Sequence, residues 1–260
     1  FQDSICRQFN SSENNAMTSP HHFSYGRQGR SDPSYPFGYW DSRVARFIEV
    51  YSSHGASEYP GNPRPLIHAY QGYDKYMQGG LKKGLRFGVV GASDNHDSHP
   101  GRSGWGRYPS GLSAFWASEL TRDSIWDALW NYRVYATSFD RIYMEFRINA
   151  STMGSQLFDD SGDIHGYVIG KTDSLEVTLI KDNKEIGTWI TDKGVVEFSH
   201  LDDSIYGDHF YYLRVTQSNG EQAWSTPIWI NSSVTATAVD ATNNDNDDIR
   251  SEKDPNEIGC

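Results

Sequence analysis

Cysteines, basic residues and long apolar runs are scarce in this sequence, and each scarcity excludes a class of protein. Only two cysteines occur, Cys6 and Cys260, and neither has a second cysteine or a nearby histidine at zinc-site spacing. The 23 Lys and Arg residues are outnumbered by 34 Asp and Glu residues, and the net charge of −11 disfavours nucleic acid as a partner. No apolar run approaches the roughly 20 residues of a transmembrane helix, so we expect no membrane span.

The remaining composition is that of a folded protein from outside the cytoplasm. With 260 residues, 37% of them hydrophobic, the chain can form one large domain or two ordinary ones. The N-terminus "FQDSICRQFN" lacks an initiator Met and a signal-peptide apolar region, so we interpret the chain as a mature or processed piece. Sequons at Asn10, Asn149 and Asn231 are candidate glycosylation sites, and Cys6 and Cys260 are disulfide candidates, within one chain or between two. These features predict an extracellular or periplasmic glycoprotein.

Residues 1–141 alternate between strand and helix patterns. "ARFIEVYSS" and "LRFGVVGAS" predict buried strands, and "PLIHAYQGYDKYMQGGLKKG" between them predicts a helix. A second, amphipathic helix is predicted in "ELTRDSIWDALWNYRVYAT", with Thr121 as its N-cap. This order favours an α/β domain with a parallel sheet, whose ligands lie at the carboxyl ends of the strands.

The hydrophobic period changes to two after residue 141. Alternating runs separated by the turn pairs Asp182-Asn183 and Asn219-Gly220 predict a small antiparallel β-sandwich over residues 142–232. The last segment, residues 233–260, is an acidic tail ending in Cys260, with too little apolar surface to fold alone.

A cluster of aspartates and histidines follows the second buried strand, in "GASDNHDSHPG" at residues 91–101. In an extended backbone Asp94 and His96 would point to the same side, and imidazole and carboxylate groups are ligands of divalent zinc, manganese or iron. His21-His22 and His54 would join them if their segments are neighbours. Solvated loop residues or helix caps give the same pattern, so the residues alone leave both interpretations open.

Several linked blocks resemble one family of enzymes. "GASDNHDSHPGR", preceded by "PHH" and "RFIEVYSSHGASE" and followed by "GLSAFWASELTRDSIWDALWNYRVYATSFDRI", is similar to the polymerase and histidinol phosphatase (PHP) superfamily. The likeness is strongest to an uncharacterised, often secreted bacterial branch with a C-terminal sandwich, and it covers about residues 18–231. It implies a distorted (β/α)₇ barrel that binds two or three divalent metal ions, which activate a water to attack a phosphoester.

The resemblance also implies roles for particular residues. Asp94 and His96 match the metal ligands of the family's Ser-Asp-X-His motif. His21, or His22 if the register shifts by one, matches a further ligand, and His54 matches a residue that lines the site.

Three other polar residues are candidates from their own chemistry. Glu49 alternates with Ile48 on a predicted buried strand, which places its carboxylate on the metal side. Arg102 can bind a substrate phosphate through two hydrogen bonds, and His99 can act as a general acid or a ligand. A surface position explains Arg102 and His99 as well.

The sequence departs from the family at its N-terminal side, because no His-X-His strand motif precedes residue 18. We therefore expect only the C-terminal part of a barrel, which lacks about half of the metal ligands. Either the missing half belongs to the same precursor, or it is a separate chain, or the protein has lost the chemistry. The main hypothesis is a metal-dependent phosphoesterase acting on a small phosphoester. The alternative is a non-catalytic extracellular assembly protein that self-associates through its terminal cysteines.

Overall fold

The computed structural model describes residues 16–21, 23–24, 37–69, 72–102 and 106–232. Cys6, Asn10, His22, Cys260 and the predicted tail at 233–260 lie outside the described residues. The disulfide, the glycosylation of Asn10 and the ligand role of His22 therefore stay predictions.

The described residues are mostly β-structure, with two short α-helices and two 3₁₀ turns at Phe37–Tyr39 and Tyr73–Lys75. The helices are α1 (Met77–Lys82) and α2 (Arg122–Trp130). The strands are β1 (Phe47–Ser52), β2 (Gly55–Ala56), β3 (Gly88–Gly91), β4 (Leu112–Phe115), β5 (Val134–Thr137), β6 (Tyr143–Ile148), β7 (Ser151–Thr152), β8 (Gln156–Phe158), β9 (Gly162–Ile169), β10 (Leu175–Lys181), β11 (Lys184–Thr191), β12 (Val195–Asp202), β13 (Asp208–Gln217), β14 (Gln222–Ser225) and β15 (Ile228–Asn231).

The largest sheet has eight strands and crosses the predicted boundary at residue 141. Its main path runs β11-β10-β13-β14-β5-β4, and β15 joins β13 to β8. The β10–β11 hairpin turns at Asp182-Asn183, where both residues have positive φ (50° and 65°), and Gly220 (φ 81°) lies in the β13–β14 turn. Both predicted turns are confirmed. Because β5 pairs with β14 and β4 pairs with β5, residues 112–137 belong to the same sheet as strands of the C-terminal half.

A four-stranded sheet, in the order β12-β9-β6-β7, packs its apolar face against the large sheet. Strand β6 alternates between exposed or half-buried and buried positions, and its inward side chains Met144, Phe146 and Ile148 are fully buried. They join Leu179 and Leu213 from the large sheet in one hydrophobic cluster. The predicted alternation of period two over residues 142–232 therefore corresponds to two packed antiparallel layers.

A small third sheet carries the strands that the α/β interpretation depended on. Strand β1 pairs with β3 in parallel and with β2 in antiparallel, in the order β2-β1-β3. Ile48 and Val50 of β1 and Val89 of β3 are buried, as expected for a strand pair covered on both faces. The hydroxyl of Thr226 accepts a hydrogen bond from the Val89 amide (2.9 Å) and donates one to the Val134 carbonyl (2.5 Å), which links this sheet to β5.

Helix α2 begins as predicted, whereas the first predicted helix is much shorter than expected. The hydroxyl of Thr121 accepts a hydrogen bond from the Ser124 amide (3.3 Å), which confirms the N-cap. Among the described residues between 65 and 84, only α1 and a 3₁₀ turn are helical. A Cβ on Gly79 would clash with the backbone of Tyr73–Asp74, and a Cβ on Gly80 would clash with the Phe37 ring. Tight packing therefore requires these two glycines, although glycine disfavours a helix.

The predicted fold class is wrong. No (β/α)₇ barrel is present among the described residues, because strands account for 42% and helices for only 10% of the structure. A barrel needs a run of parallel pairs, and the ladders of the described residues contain parallel pairing only between β1 and β3 and between β8 and β15. The error arose because a strand, helix, strand order does not determine which sheet each strand joins.

A buried polar network ties the segment after β2 to the large sheet. Glu58 is fully buried, and its carboxylate accepts hydrogen bonds from Trp224 Nε1 (2.7 Å), Tyr212 Oη (2.8 Å) and Arg214 Nη1 (3.2 Å). Burial raises the pKa of Glu58, and the guanidinium and the hydrogen bonds oppose that effect. Tyr212, Arg214 and Trp224 each lie more than 150 residues from Glu58 in sequence. This network therefore fixes the segment after β2 against the large sheet.

Candidate active site

Four of the predicted site residues meet at the carboxyl ends of β1 and β3. His21 precedes the first strand, Glu49 lies on β1, His54 follows β1, and Asp94 follows β3. Because β1 and β3 are parallel neighbours, their carboxyl ends lie at the same edge, which places the segments that bear His54 and Asp94 side by side.

Asp94 lies at the centre of this group, which we call the His–carboxylate cluster (His21, Glu49, His54, Asp94). Its Oδ1 lies 3.2 Å from His21 Nε2, and its Oδ2 lies 2.5 Å from His54 Nε2. The second ring nitrogen of His21, Nδ1, lies 3.2 Å from Glu49 Oε2. One imidazole thus bridges two carboxylates.

Exposure differs sharply within the cluster. The side chains of Asp94 and Glu49 are 5% and 9% exposed, and that of His54 is 23% exposed, whereas His21 is 58% exposed. The hydrogen bond with Glu49 raises the pKa of His21; desolvation opposes this, and the charges of Glu49 and Asp94 add to it. The cluster therefore has one accessible imidazole, that of His21, whose protonated form is stabilised by the two shielded carboxylates of Glu49 and Asp94.

Residues 106–111 lie against the segments that follow β1 and β3. The Gly111 amide donates to the Ala92 carbonyl (2.8 Å), and the Tyr108 amide donates to the Ser53 carbonyl (3.1 Å). A Cβ on Gly111 would lie 2.8 Å from the Tyr51 carbonyl oxygen, so this close approach requires glycine. The segment beyond Asp94 is therefore held by backbone contacts on both of its sides.

The backbone between Asp94 and His96 is not extended. The prediction assumed an extended backbone, but Asp94 has φ of 54°, in the left-handed region, and the alternation of side chains is broken there. His96 is exposed. Its assignment as a metal ligand rests on the sequence alone.

His99 and Arg102 are held on the surface by a residue that the sequence analysis did not select. Arg102 Nη1 donates to Asp97 Oδ2 (2.8 Å), and His99 Nδ1 lies 3.2 Å from Asp97 Oδ1. Both side chains are more than 60% exposed. Asp97 belongs to the same "DNHDSH" run and lies five residues before Arg102. This spacing was the feature of the sequence that could have identified Asp97 as the partner of Arg102.

The two described sequons are engaged in structural hydrogen bonds. Asn149 Nδ2 donates to Asp159 Oδ2 (3.0 Å), and Asn231 Nδ2 donates to Asp208 Oδ1 (2.5 Å). Glycosylation leaves one hydrogen on Nδ2, so a glycan at Asn149, whose Nδ2 also donates to the Ser161 carbonyl (3.3 Å), would displace one of two contacts.

The donors of the cluster suit a divalent cation in kind but not in arrangement. Imidazole and carboxylate groups are ligands of zinc, manganese and iron. Among the described residues, however, no group of three or more His, Cys, Asp or Glu side chains could hold a metal ion. His21 directs both ring nitrogens at carboxylates instead of at a common point. The classification of this chain as metal-binding by itself is therefore wrong for the described residues.

Comparisons with known proteins give a family without an assigned activity. The family described as "Protein of unknown function (DUF3604)" matches residues 97–170. Two uncharacterised proteins, from Chlamydia trachomatis and Chlamydia muridarum, are 32% and 31% identical to this chain over 223 and 221 residues. Each match covers 75% of this chain and 36% of the relative. This chain thus spans about a third of the length of these relatives.

Likenesses to solved structures are remote. The CARDB domain of a Pyrococcus furiosus protein, in a complex with di-metal ions, is 9% identical, with a TM-score of 0.24 and coverage of 36% of this chain and 93% of the other. An engineered protein is 10% identical with the same TM-score, and the coverage is 37% of this chain and 21% of the other. At these scores neither likeness carries an argument.

The predicted membership of the PHP superfamily is wrong on these findings. The matching family is one of unknown function, and the described fold is mostly β instead of a (β/α)₇ barrel. The comparisons likewise give no support to the classification as a hydrolase. One prediction about partners is confirmed in its coarser form: no described helix has the length and apolar character to cross a membrane.

Proposed function

We propose that the His–carboxylate cluster is part of a site that hydrolyses small phosphoesters. The observation that supports the proposal is the contrast in exposure between Asp94 and His21. Asp94 is shielded between two imidazoles, and His21 is exposed and bound to two carboxylates. Buried carboxylates that stabilise an accessible, positively charged imidazole are typical of acid–base sites, where opposed environments separate the roles of titratable groups.

His21 is the residue that meets the substrate in this proposal. As an imidazolium it offsets negative charge on a phosphoryl oxygen. To protonate the leaving-group oxygen it releases one N–H from its carboxylate, while a water attacks the phosphorus and passes its proton to the carboxylate that is freed. Glu49 and Asp94 hold the ring in place from Nδ1 and Nε2 and keep it charged. His54 binds the second oxygen of Asp94 and fixes the orientation of that carboxylate.

Divalent metal ions belong to the proposal only with donors from outside the described residues. The expectation from sequence was two or three ions of zinc, manganese or iron in a complete site. His22 is the first candidate for a further ligand. This chain spans about a third of its Chlamydia relatives, so the remaining donors would come from a longer polypeptide or a partner chain. Such an ion would supply an activated water.

The test is hydrolysis of bis(p-nitrophenyl) phosphate and p-nitrophenyl phosphate by this chain, with and without added Mn²⁺ or Zn²⁺. We expect turnover that falls by about 100-fold in Asp94→Asn and in His21→Gln, because each removes the charge pairing of the cluster. Asp192→Asn is the matched control, since Asp192 is exposed in the turn between β11 and β12.

Equal activity in Asp94→Asn, Asp192→Asn and the unmodified chain would overturn the assignment of the cluster, provided that circular dichroism shows all three folded. Absence of activity in the unmodified chain at every metal concentration would leave the cluster without a hydrolytic role in this chain.

The extracellular or periplasmic location and the assembly role also stay proposals. Support for the location consists of the sequons and the paired number of cysteines. The non-catalytic alternative, a protein that self-associates through Cys6 or Cys260, depends on residues outside the described ones, and no described contact favours it.

A further inference from the structure

A cavity of about 610 Å³ lies on the other face of β13 and β15 from the four-stranded sheet, and it has no part in the proposed site. Helix α1 and the following Gly84–Arg86 segment form one wall, and the β10–β11 turn with the beginning of β13 forms the other. Its volume is within the range of roughly 300–1,000 Å³ that is usual for small-molecule sites. No member of the His–carboxylate cluster lines it.

Three cationic side chains line this cavity in a protein whose net charge is −11: Lys82, Arg86 and Lys184. Arg86 donates to Gln156. Within the described part of the chain, no hydrogen bond or ion pair reaches the amines of Lys82 and Lys184. Both lysines are exposed, so their charges are available to a ligand.

The two acidic residues of the lining are already paired within the protein. Asp182 Oδ2 lies 2.5 Å from His209 Nδ1, and its Oδ1 accepts from the Phe210 amide (3.1 Å). Asp208 Oδ1 accepts from Asn231 Nδ2 (2.5 Å). These contacts do not remove the carboxylate charges, so the lining carries a net charge of +1 when its three Lys and Arg and its two Asp residues are counted, in a protein of net charge −11.

The uncharged lining combines the polar residues Asn183, His209 and Asn231 with apolar and aromatic side chains. Leu81, Phe210 and Trp229 are buried members of the core, and Tyr73 is 39% exposed at the edge. An aromatic ring or a short apolar group would replace water against these side chains.

We propose that this cavity binds a small organic anion, with its phosphate or carboxylate group at Lys82 and Lys184 and its apolar part against Tyr73 and Trp229. The cationic rim selects for charge, and the aromatic floor selects for a ligand larger than an inorganic ion. We call this the second site.

The experiment is isothermal titration of the complete chain with phenyl phosphate, inorganic phosphate and benzyl alcohol. We expect saturable binding of phenyl phosphate with one site per chain, and binding at least about tenfold weaker for each of the other two probes. Lys82→Glu/Lys184→Glu should weaken phenyl phosphate binding by more than about tenfold. The matched control is Lys171→Glu/Lys193→Glu, which changes the net charge equally at two exposed lysines outside the cavity.

Asp94→Asn separates this proposal from the proposed hydrolytic site, because phenyl phosphate also resembles a phosphoester. Binding at the second site survives that substitution. Loss of binding in Asp94→Asn with retention in Lys82→Glu/Lys184→Glu would place the ligand in the active site and overturn the proposal. Equal weakening by the two lysine pairs, or no saturable binding of phenyl phosphate to the unmodified chain, would overturn it as well.

Discussion

His21 is the residue whose chemistry depends most on its neighbours. Its imidazole reaches Glu49 through Nδ1 and Asp94 through Nε2, both at 3.2 Å, and the hydrogen bond with Glu49 is the largest cause of its raised pKa. A group whose pKa is higher in the folded than in the unfolded state stabilises the fold at low pH. That stabilisation is complete below the unfolded value of about 6.5 and is lost as the pH rises through the folded value.

Glu49→Gln should lower the pKa of His21 toward its ordinary value, because the amide keeps the shape of the side chain but removes the charge that stabilises the imidazolium. The measurement is the pH dependence of the His21 ring signals by NMR from about pH 5 to about pH 9 in the presence of a chelator. Glu197→Gln, at an exposed position of β12, should leave the pKa of His21 unchanged. An unchanged pKa in Glu49→Gln would show that the contact with Glu49 is not formed in solution.

At the level of the elements, the attachment of the segment after β2 to the large sheet depends on the carboxylate of Glu58. Glu58 is fully buried against three donors that belong to β13 and β14. Glu58→Gln should lower the free energy of unfolding by about 3 kcal/mol, because Arg214 loses its buried counter-charge and one amide atom is mismatched with its donors. Urea unfolding measures the change.

Glu185→Gln is the matched control for that prediction, since Glu185 binds the same guanidinium but is 59% exposed. An exposed ion pair contributes less than about 1 kcal/mol, so this variant should be almost as stable as the unmodified chain. Equal losses in the two variants would show that burial does not decide the strength of the contact to Arg214.

Some elements and part of the candidate site could be predicted from the sequence, and the rest could not. Local signals worked where the physics is local: Thr121 caps α2, the turn pairs connect hairpins, and β1 and β3 are parallel neighbours. The meeting of His54 and Asp94 follows from that parallel pair, and His21 joins them from the segment that precedes β1. The extended backbone expected from Asp94 to His96 was wrong, because no hydrophobic period specifies the positive φ of Asp94.

At the scale of the whole molecule, the error in fold class came from strand partners that are distant in sequence. Residues 112–137 were assigned to the barrel together with the rest of residues 1–141, yet their strands β4 and β5 extend a sheet whose other members begin after residue 150. The pairing of β5 with β14 joins Val134–Thr137 to residues about 90 positions further on. Nothing in a local hydrophobic period specifies such a partner.

This pairing predicts that residues on the two sides of position 141 unfold together. Native-state hydrogen exchange at low denaturant should give opening free energies for the amides of β5 and β13 that agree within about 1 kcal/mol, because both strands are buried in one sheet. Strand β11, at the edge and mostly exposed or half-buried, should open at a lower free energy and serves as the internal reference. If β5 exchanges as readily as β11 while β13 stays protected, residues 1–141 behave as a separate domain, and the shared sheet does not make one cooperative unit.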